Sequence, residues 1–259
     1  YLLEQNIDLL IVSPNESKPL TPIVEQVFNA GIPVIVIDRE IESDAYTCYI
    51  GADNYQIGRE AGEYAAMILN GKGKVAEIWG LMGSSPAIER HRGFVESIGK
   101  YPGLQIVFQG HGKWNFDDAR MVMRDALDSI PEFDLVYAHN DVMALGAREV
   151  LNENGYHGNI RFLGIDALPG SEGGIQKVID NKLNATLLYP TGGEGAIQMA
   201  IRIFEGQDVP KNYILQTVLI DSSNAKLIKL QTDHVQSLQE KIQAQTDVLE
   251  EQIIEFNYQ

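Results

Sequence analysis

The sequence predicts an α/β fold of two lobes, with parallel sheets carrying helices on both faces and a long C-terminal helix. Short apolar runs alternate in strict rotation with amphipathic helical stretches, which is the pattern of parallel strands joined by crossover helices. Runs such as LLIVS and VIVI are apolar at successive positions, as strands covered on both faces must be. The chain has 259 residues, 44% of them hydrophobic, enough for two lobes of ordinary size with buried cores.

Strand-like runs fall at 7–13, 33–37, 47–50, 75–80, 105–109, 135–139, 161–165 and 185–189. Helical patterns fall at 22–30, 55–69, 87–99, 117–127, 142–153, 172–179 and 194–204. The turn chemistry agrees with both sets. Asn29-Ala30-Gly31 ahead of Pro33, and Asn70-Gly71, place glycine just past a last helical turn, where left-handed backbone is needed. Asp53 and Asp141 stand where helices begin and are read as caps. Cys48, the one cysteine, excludes an internal disulfide and reads as a small, half-buried strand residue. Residues Tyr1 to Gln5 read as the end of a helix already under way.

The last 37 residues, 223–259, contain no Gly or Pro. Ile228, Gln231, Val235, Leu238, Ile242, Gln245, Leu249, Gln252 and Phe256 step by 3 and 4 without a slip, an a/d seam sustained over about four heptads. Three glutamines on that seam predict a weak stalk with polar-specified register.

Several function classes are excluded or disfavoured. A net charge of −16 repels phosphate backbones, so nucleic acid is not an expected partner. No run of 18 apolar residues is present, so none of this segment should span a membrane. His91, His111, His139, His157 and His234 show no metal-ligand spacing, and no nucleophile elbow or dinucleotide fingerprint occurs. No enzyme activity, metal or cofactor is therefore expected. His139 reads as a strand-end residue, and the stretch from Gly80 to Ser85 as a plain strand-to-helix turn.

In open α/β sheets, ligands bind beyond the carboxyl ends of the strands. Ser13 closes the first run, Asp38-Arg39 follow the second, Asn140 follows 135–139, Asp166 follows 161–165, and Tyr189 ends 185–189. Arg90 lies within reach of the same edge, and Trp114 is the aromatic best placed there. Carboxylates accept hydroxyl hydrogens, Asn both donates and accepts, Arg donates in a planar fork, and an indole covers an apolar C–H face. The set suits one polyhydroxylated ligand.

At these residues the sequence resembles the ribose-binding-protein type of periplasmic sugar-binding proteins. The matching stretches are IVSPNES, PVIVIDRE, IGADN, GSSPAIERHRGF, AHNDVMALGA, FLGIDALPGSEGGI and NATLLYP. It resembles in particular the periplasmic sensor domains of Bacteroides hybrid two-component systems, the fructose-sensing type among them, in which LIDSSNAKL leads into a long amphipathic helix. The resemblance implies a monosaccharide cleft formed by Ser13, Asp38, Arg39, Arg90, Trp114, Asn140, Asp166 and Tyr189. Relative to ribose-binding protein, Ser13 stands for an asparagine, Ile165 for a phenylalanine and Tyr189 for a glutamine, changes that bear on which sugar is held. It also implies that the family's first strand-helix unit is missing here. The lobes are expected at 1–51 with 190–215, and at 52–189 with 216–222, followed by a juxtamembrane stalk at 223–259. A homodimer through that stalk, a membrane anchor outside the segment and a location on the periplasmic side of the inner membrane follow from the same resemblance. A soluble binding protein of a sugar transporter and a LacI-type effector domain share the fold and are the competing readings.

Overall fold

The computed structural model describes residues 5–130, 132–156 and 160–257, with side chains described as far as 249. Elements are numbered along the chain. Strands β1 (Leu10–Val12), β2 (Val34–Ile37), β3 (Cys48–Ala52) and β9 (Asn212–Leu215) form a parallel sheet in the order β1-β2-β3-β9. Strands β4 (Lys72–Trp79), β5 (Gly103–His111), β6 (Leu135–Ala138), β7 (Arg161–Asp166), β8 (Ala185–Leu188) and β10 (Leu219–Asp221) form a second sheet in the order β10-β8-β7-β6-β4-β5. That sheet is parallel except for β10, which runs antiparallel to β8 at one edge.

The pleat explains why VIVI is apolar throughout. Val34 and Val36 point to one face, where they meet Val24 and Val27 of α1 (Ser17–Asn29). Ile35 points to the other, where it packs with Cys48, Ile50 and Met199 of α7 (Gly193–Phe204). The second sheet divides likewise. Ile78, Val136 and Ala138 join a core with α4 (Phe116–Ser129) and α5 (Asp141–Glu153). Val75, Leu135, Tyr137 and Leu163 join another with α2 (Asn54–Ile68) and α3 (Ser85–Ile98).

Helices α2 and α3 approach closely because each offers a glycine at the contact. A Cβ at Gly58 would lie 2.1 Å from the Arg90 carbonyl oxygen, and one at Gly93 would lie 2.1 Å from the Tyr55 oxygen. This contact sets the position of Arg90. At the other end of the chain, α6 (Gly174–Ile179) packs under the start of α8 (Ala225–Asn257). Ala225 is buried, and Ile228 packs against the core containing Ile175 and Val178. Farther along, Leu238, Ile242 and Leu249 are 45%, 62% and 57% exposed. Exposure is not confined to the heptad seam, since Leu227, Leu230 and Val248 are also exposed. Among the described residues no helix is long and apolar enough to cross a membrane.

The structure corrects several local expectations. Asp141 is not the cap of α5. Asn140 is, its side chain accepting from the Met143 N–H at 2.9 Å, while Asp141 is buried and accepts from the Ala167 N–H at 2.8 Å. Helix α1 begins at Ser17 rather than 22 and contains Pro22; a proline costs one backbone bond there without ending a helix held by tertiary packing. Cys48 is fully buried rather than half-buried. Strands β9 and β10 were not predicted: both are short edge strands, one largely exposed, so neither carries the apolar run of a central strand. Asp53 caps α2 as expected, accepting from the Gln56 N–H at 2.8 Å. The helix end read at the first residues lies outside the described residues apart from Gln5, as do His157 and the side chains of Gln252 and Phe256.

Candidate functional site

Beyond the carboxyl ends of both sheets lies a cavity of about 160 Å³. Asp38, Arg39, Arg90, Trp114, Asn140, Asp166 and Tyr189 line it, with Pro86. The structure thus brings together seven of the eight residues nominated from the sequence. Ser13 is not in the lining; it is exposed, and its hydroxyl donates to Asp38 Oδ2 at 3.4 Å. Pro86 is the residue that sequence reading missed. It follows the Gly80–Ser85 turn in the first turn of α3, a place with no polar signal.

Three of these residues hold left-handed backbone: Asp38 (φ 65°), Trp114 (φ 69°) and Asp166 (φ 120°). Such geometry costs about 1–3 kcal/mol per residue and persists only where surroundings over-determine it. The surroundings are visible. The Asp38 carbonyl accepts from the hydroxyls of Tyr49 at 3.1 Å and Tyr189 at 2.9 Å. The Trp114 carbonyl accepts from Asn140 Nδ2 at 3.2 Å. The Asp166 carbonyl accepts from the Tyr189 N–H at 3.2 Å, and Ala167, also at positive φ (52°), is held by Asp141.

Arg90 is only 3% exposed. Its Nε donates to Asn54 Oδ1 at 2.9 Å and its Nη1 to the His139 carbonyl. The guanidinium lies 4.7 Å from the Tyr189 ring centroid and 5.5 Å from that of Trp114, cation–π geometry that compensates for its burial. Arg39 approaches the same indole at 5.7 Å, donates to the Asn15 carbonyl and Oδ1, and pairs with Asp38 at 3.5 Å. Gly80 makes the indole's seat: a Cβ there would lie 2.1 Å from the ring.

Burial raises the Asp166 carboxyl to about 6; Arg90 opposes the rise and Asp38 adds to it. Burial likewise pushes Asp141 well above the ordinary carboxyl range, with Asp166 adding to the effect. The cavity therefore combines a half-buried ion pair, a desolvated carboxyl, a stacked guanidinium, an amide and an indole wall. Such a set can grip several hydroxyls and cover one apolar face. Among the described residues no group of three or more His, Cys, Asp or Glu could hold a metal ion.

The first-sheet side also touches the second across the cleft rim. The Ser17 N–H donates to the Gly83 carbonyl at 3.1 Å, and the Glu40 N–H to Ser85 Oγ at 2.7 Å. Together with the Tyr189–Asp38 bond, these contacts hold the two sides together over the cavity.

Residues 1–208 match the family described as periplasmic binding protein domain. The ribose import binding protein of Bacillus subtilis is 32% identical over 212 residues, 81% of this chain and 67% of the relative. The chain is similar to a solved structure described as the fructose-binding periplasmic domain of a hybrid two-component system, with TM-score 0.92 and 45% identity over 94% of this chain and 81% of that one. A Mycobacterium smegmatis protein solved in complex with β-D-fucofuranose gives TM-score 0.84 at 30% identity, over 92% of this chain and 80% of that one.

Proposed function

This chain belongs to the family of periplasmic binding protein domains, and from that premise we propose that it is a sensor domain, not an enzyme, whose cleft binds one monosaccharide, fructose or a ribose-like sugar. The observation that carries the reading is the convergence of Asp38, Arg39, Arg90, Trp114, Asn140, Asp166 and Tyr189 on one small cavity. A volume near 160 Å³ suits one sugar ring rather than an oligosaccharide. The 45% identity to a fructose-binding sensor domain supports fructose among the candidates.

In this reading residues 1–51 with 190–215 act as one lobe, and 52–189 with 216–222 as the other. Sugar held by Asp38 and Arg39 on one side and by Arg90, Trp114, Asn140, Asp166 and Tyr189 on the other favours closure, because closure alone lets both sets bind at once. Segment 223–259 carries that change as a stalk toward a membrane-spanning histidine kinase, with the domain on the periplasmic side of the inner membrane and its anchor outside the segment. Two copies pair through the seam, chiefly at Leu238, Ile242 and Leu249, whose exposed apolar surface supports association.

A thermal-shift screen against fructose, ribose and other monosaccharides tests the ligand, since a molecule that binds only the folded state raises the melting temperature. Fructose or ribose should give the largest shift; no shift with any monosaccharide overturns the reading. Disulfide trapping tests the stalk. With Cys48 replaced, cysteines at 242 or 249 in membrane-bound full-length protein should crosslink better than cysteines at 241 or 250. Equal yields at all four positions would mean that the helix does not pair through this face.

A further inference from the structure

Behind the cleft wall a fully buried carboxylate stands at the centre of a polar cluster that lines no part of the cavity. Glu77, on β4, which lies between β5 and β6, is 0% exposed. His139 Nε2 lies 3.1 Å from its Oε1, His91 Nδ1 lies 2.9 Å from its Oε2, and Gln109 Nε2 donates to Oε2 at 2.8 Å. His139 is also 0% exposed. Its other ring nitrogen, Nδ1, accepts from the Gly80 N–H at 3.4 Å. One proton arrangement satisfies both contacts: a neutral ring with hydrogen on Nε2, donated to Glu77.

His139 has two further links, both toward the cavity. Its carbonyl accepts from Arg90 Nη1, and Asn140 follows it directly in the chain. Gly80, which it holds, is the residue against which the Trp114 ring rests. We propose that Glu77 is a positioning residue for the cleft: by fixing the His139 ring it fixes the Arg90 guanidinium on one side and the backbone seat of Trp114 on the other. Burial acts to raise the Glu77 carboxyl, but the hydrogen bonds from His139 and His91 outweigh it and hold the group at about 2. Burial also keeps His139 below its ordinary range despite the carboxylate beside it. A charged acceptor facing a neutral ring is the arrangement that the hydrogen-bond geometry requires.

The role in ligand binding rests on the sugar-cleft reading, whereas the positioning itself does not. The test uses the full chain, ¹⁵N-labelled, as wild type, Glu77→Gln and Glu77→Leu. In sugar-free wild type, imidazole ¹⁵N shifts should show His139 protonated at Nε2, and the Arg90 Nη1–H that donates to the His139 carbonyl should give a protected, slowly exchanging signal. Glu77→Leu should lose both. Glu77→Gln, which keeps one acceptor for Nε2, should retain the tautomer with weakened Arg90 protection; it carries the test if the Leu variant fails to fold. Fructose affinity, by calorimetry well below melting, should fall at least about tenfold in the Leu variant and less in the Gln variant. An unchanged tautomer and unchanged Arg90 protection in the variants overturn the proposal, even if melting temperatures drop. If Arg90 loosens but wild type takes up no fructose, the sugar reading fails and the positioning role stands.

Discussion

On the second-sheet wall of the cleft, Arg90 and Asn140 are 3% and 7% exposed, and each is bonded to the chain at two points. On the first-sheet wall, the side chains of Arg39 and Asp38 are 20% and 30% exposed. The first wall comes from one strand end, the second from β5, β6, β7, β8 and α3. The contrast shows a division of labour. A charge taken out of water and pinned by neighbours presents fixed geometry, and its contacts keep most of their strength. A charge at a wetter rim is screened and adapts as the walls approach. The pinned pair Arg90 and Asn140 should therefore set which sugar is held, and the half-buried pair Asp38 and Arg39 how firmly the cleft shuts.

The largest test of that contrast is a pair of truncations. Asp166→Ala and Asp38→Ala each remove a charged acceptor, and losses of about 2–4 kcal/mol, or ~30- to 1,000-fold in affinity, are expected. Asp166 should lie toward the upper end and Asp38 toward the lower. Titration calorimetry measures both; equal losses would erase the distinction between the walls, and unchanged affinity in both would remove the site.

Next comes the pH dependence of Asp166, whose carboxyl is raised to about 6 chiefly by burial. Its unfolded value is about 3.9, so the native state binds the extra proton between these values. This group's contribution to stability is full below about 4 and is lost as pH rises through about 6. Ligand binding runs the other way if the ionised form accepts hydroxyls: affinity should weaken between about pH 7 and about pH 5. Asp166→Asn should flatten that profile and raise the neutral-pH melting temperature while weakening binding. A variant with the wild-type pH profile would show that another group titrates.

Smaller effects are expected at the indole and the rim. Sugar contact with Trp114 should perturb tryptophan fluorescence, with Trp79, which lies in β4, the weaker reporter; a ligand-induced signal that survives Trp114→Phe unchanged would remove the stacking role. Ser85→Ala takes away the acceptor for the Glu40 N–H. The cost should be about 1 kcal/mol or less, seen as a more open average shape by small-angle scattering of the sugar-free protein and only a modest loss of affinity.

The frame and the cleft were legible in the sequence for different reasons. Strands β2, β6 and β7 declare themselves because burial on both faces leaves no charged position in their interiors, and their ends then name Asp38, Asn140 and Asp166 directly. Trp114 and Arg90 needed the family resemblance as well as the strand ends. What stayed hidden depends on contacts between distant segments. Nothing local marks Pro86 as a lining residue or leaves Ser13 out of the lining. Asp141 reads as a cap by position, yet the two positive φ angles at Asp166 and Ala167 create a stronger demand for its carboxylate. The Glu77 cluster joins residues 77, 91, 109 and 139, a set that becomes one group only when strands β4, β5 and β6 lie side by side.

Helix α8 is rooted by Ala225 and Ile228 in the core of the second sheet, which also holds Ile175 and Val178 of α6, and from there its apolar side chains stand exposed. At 1.5 Å per residue, the stretch from Ile228 to Asn257 is about 45 Å long. Such a rod magnifies angle into distance: a tilt of about 7° at the root carries the far end about 5.4 Å, one full turn of helix. A rearrangement that reaches the root as a few degrees of tilt would thus swing the far end sideways by several ångströms.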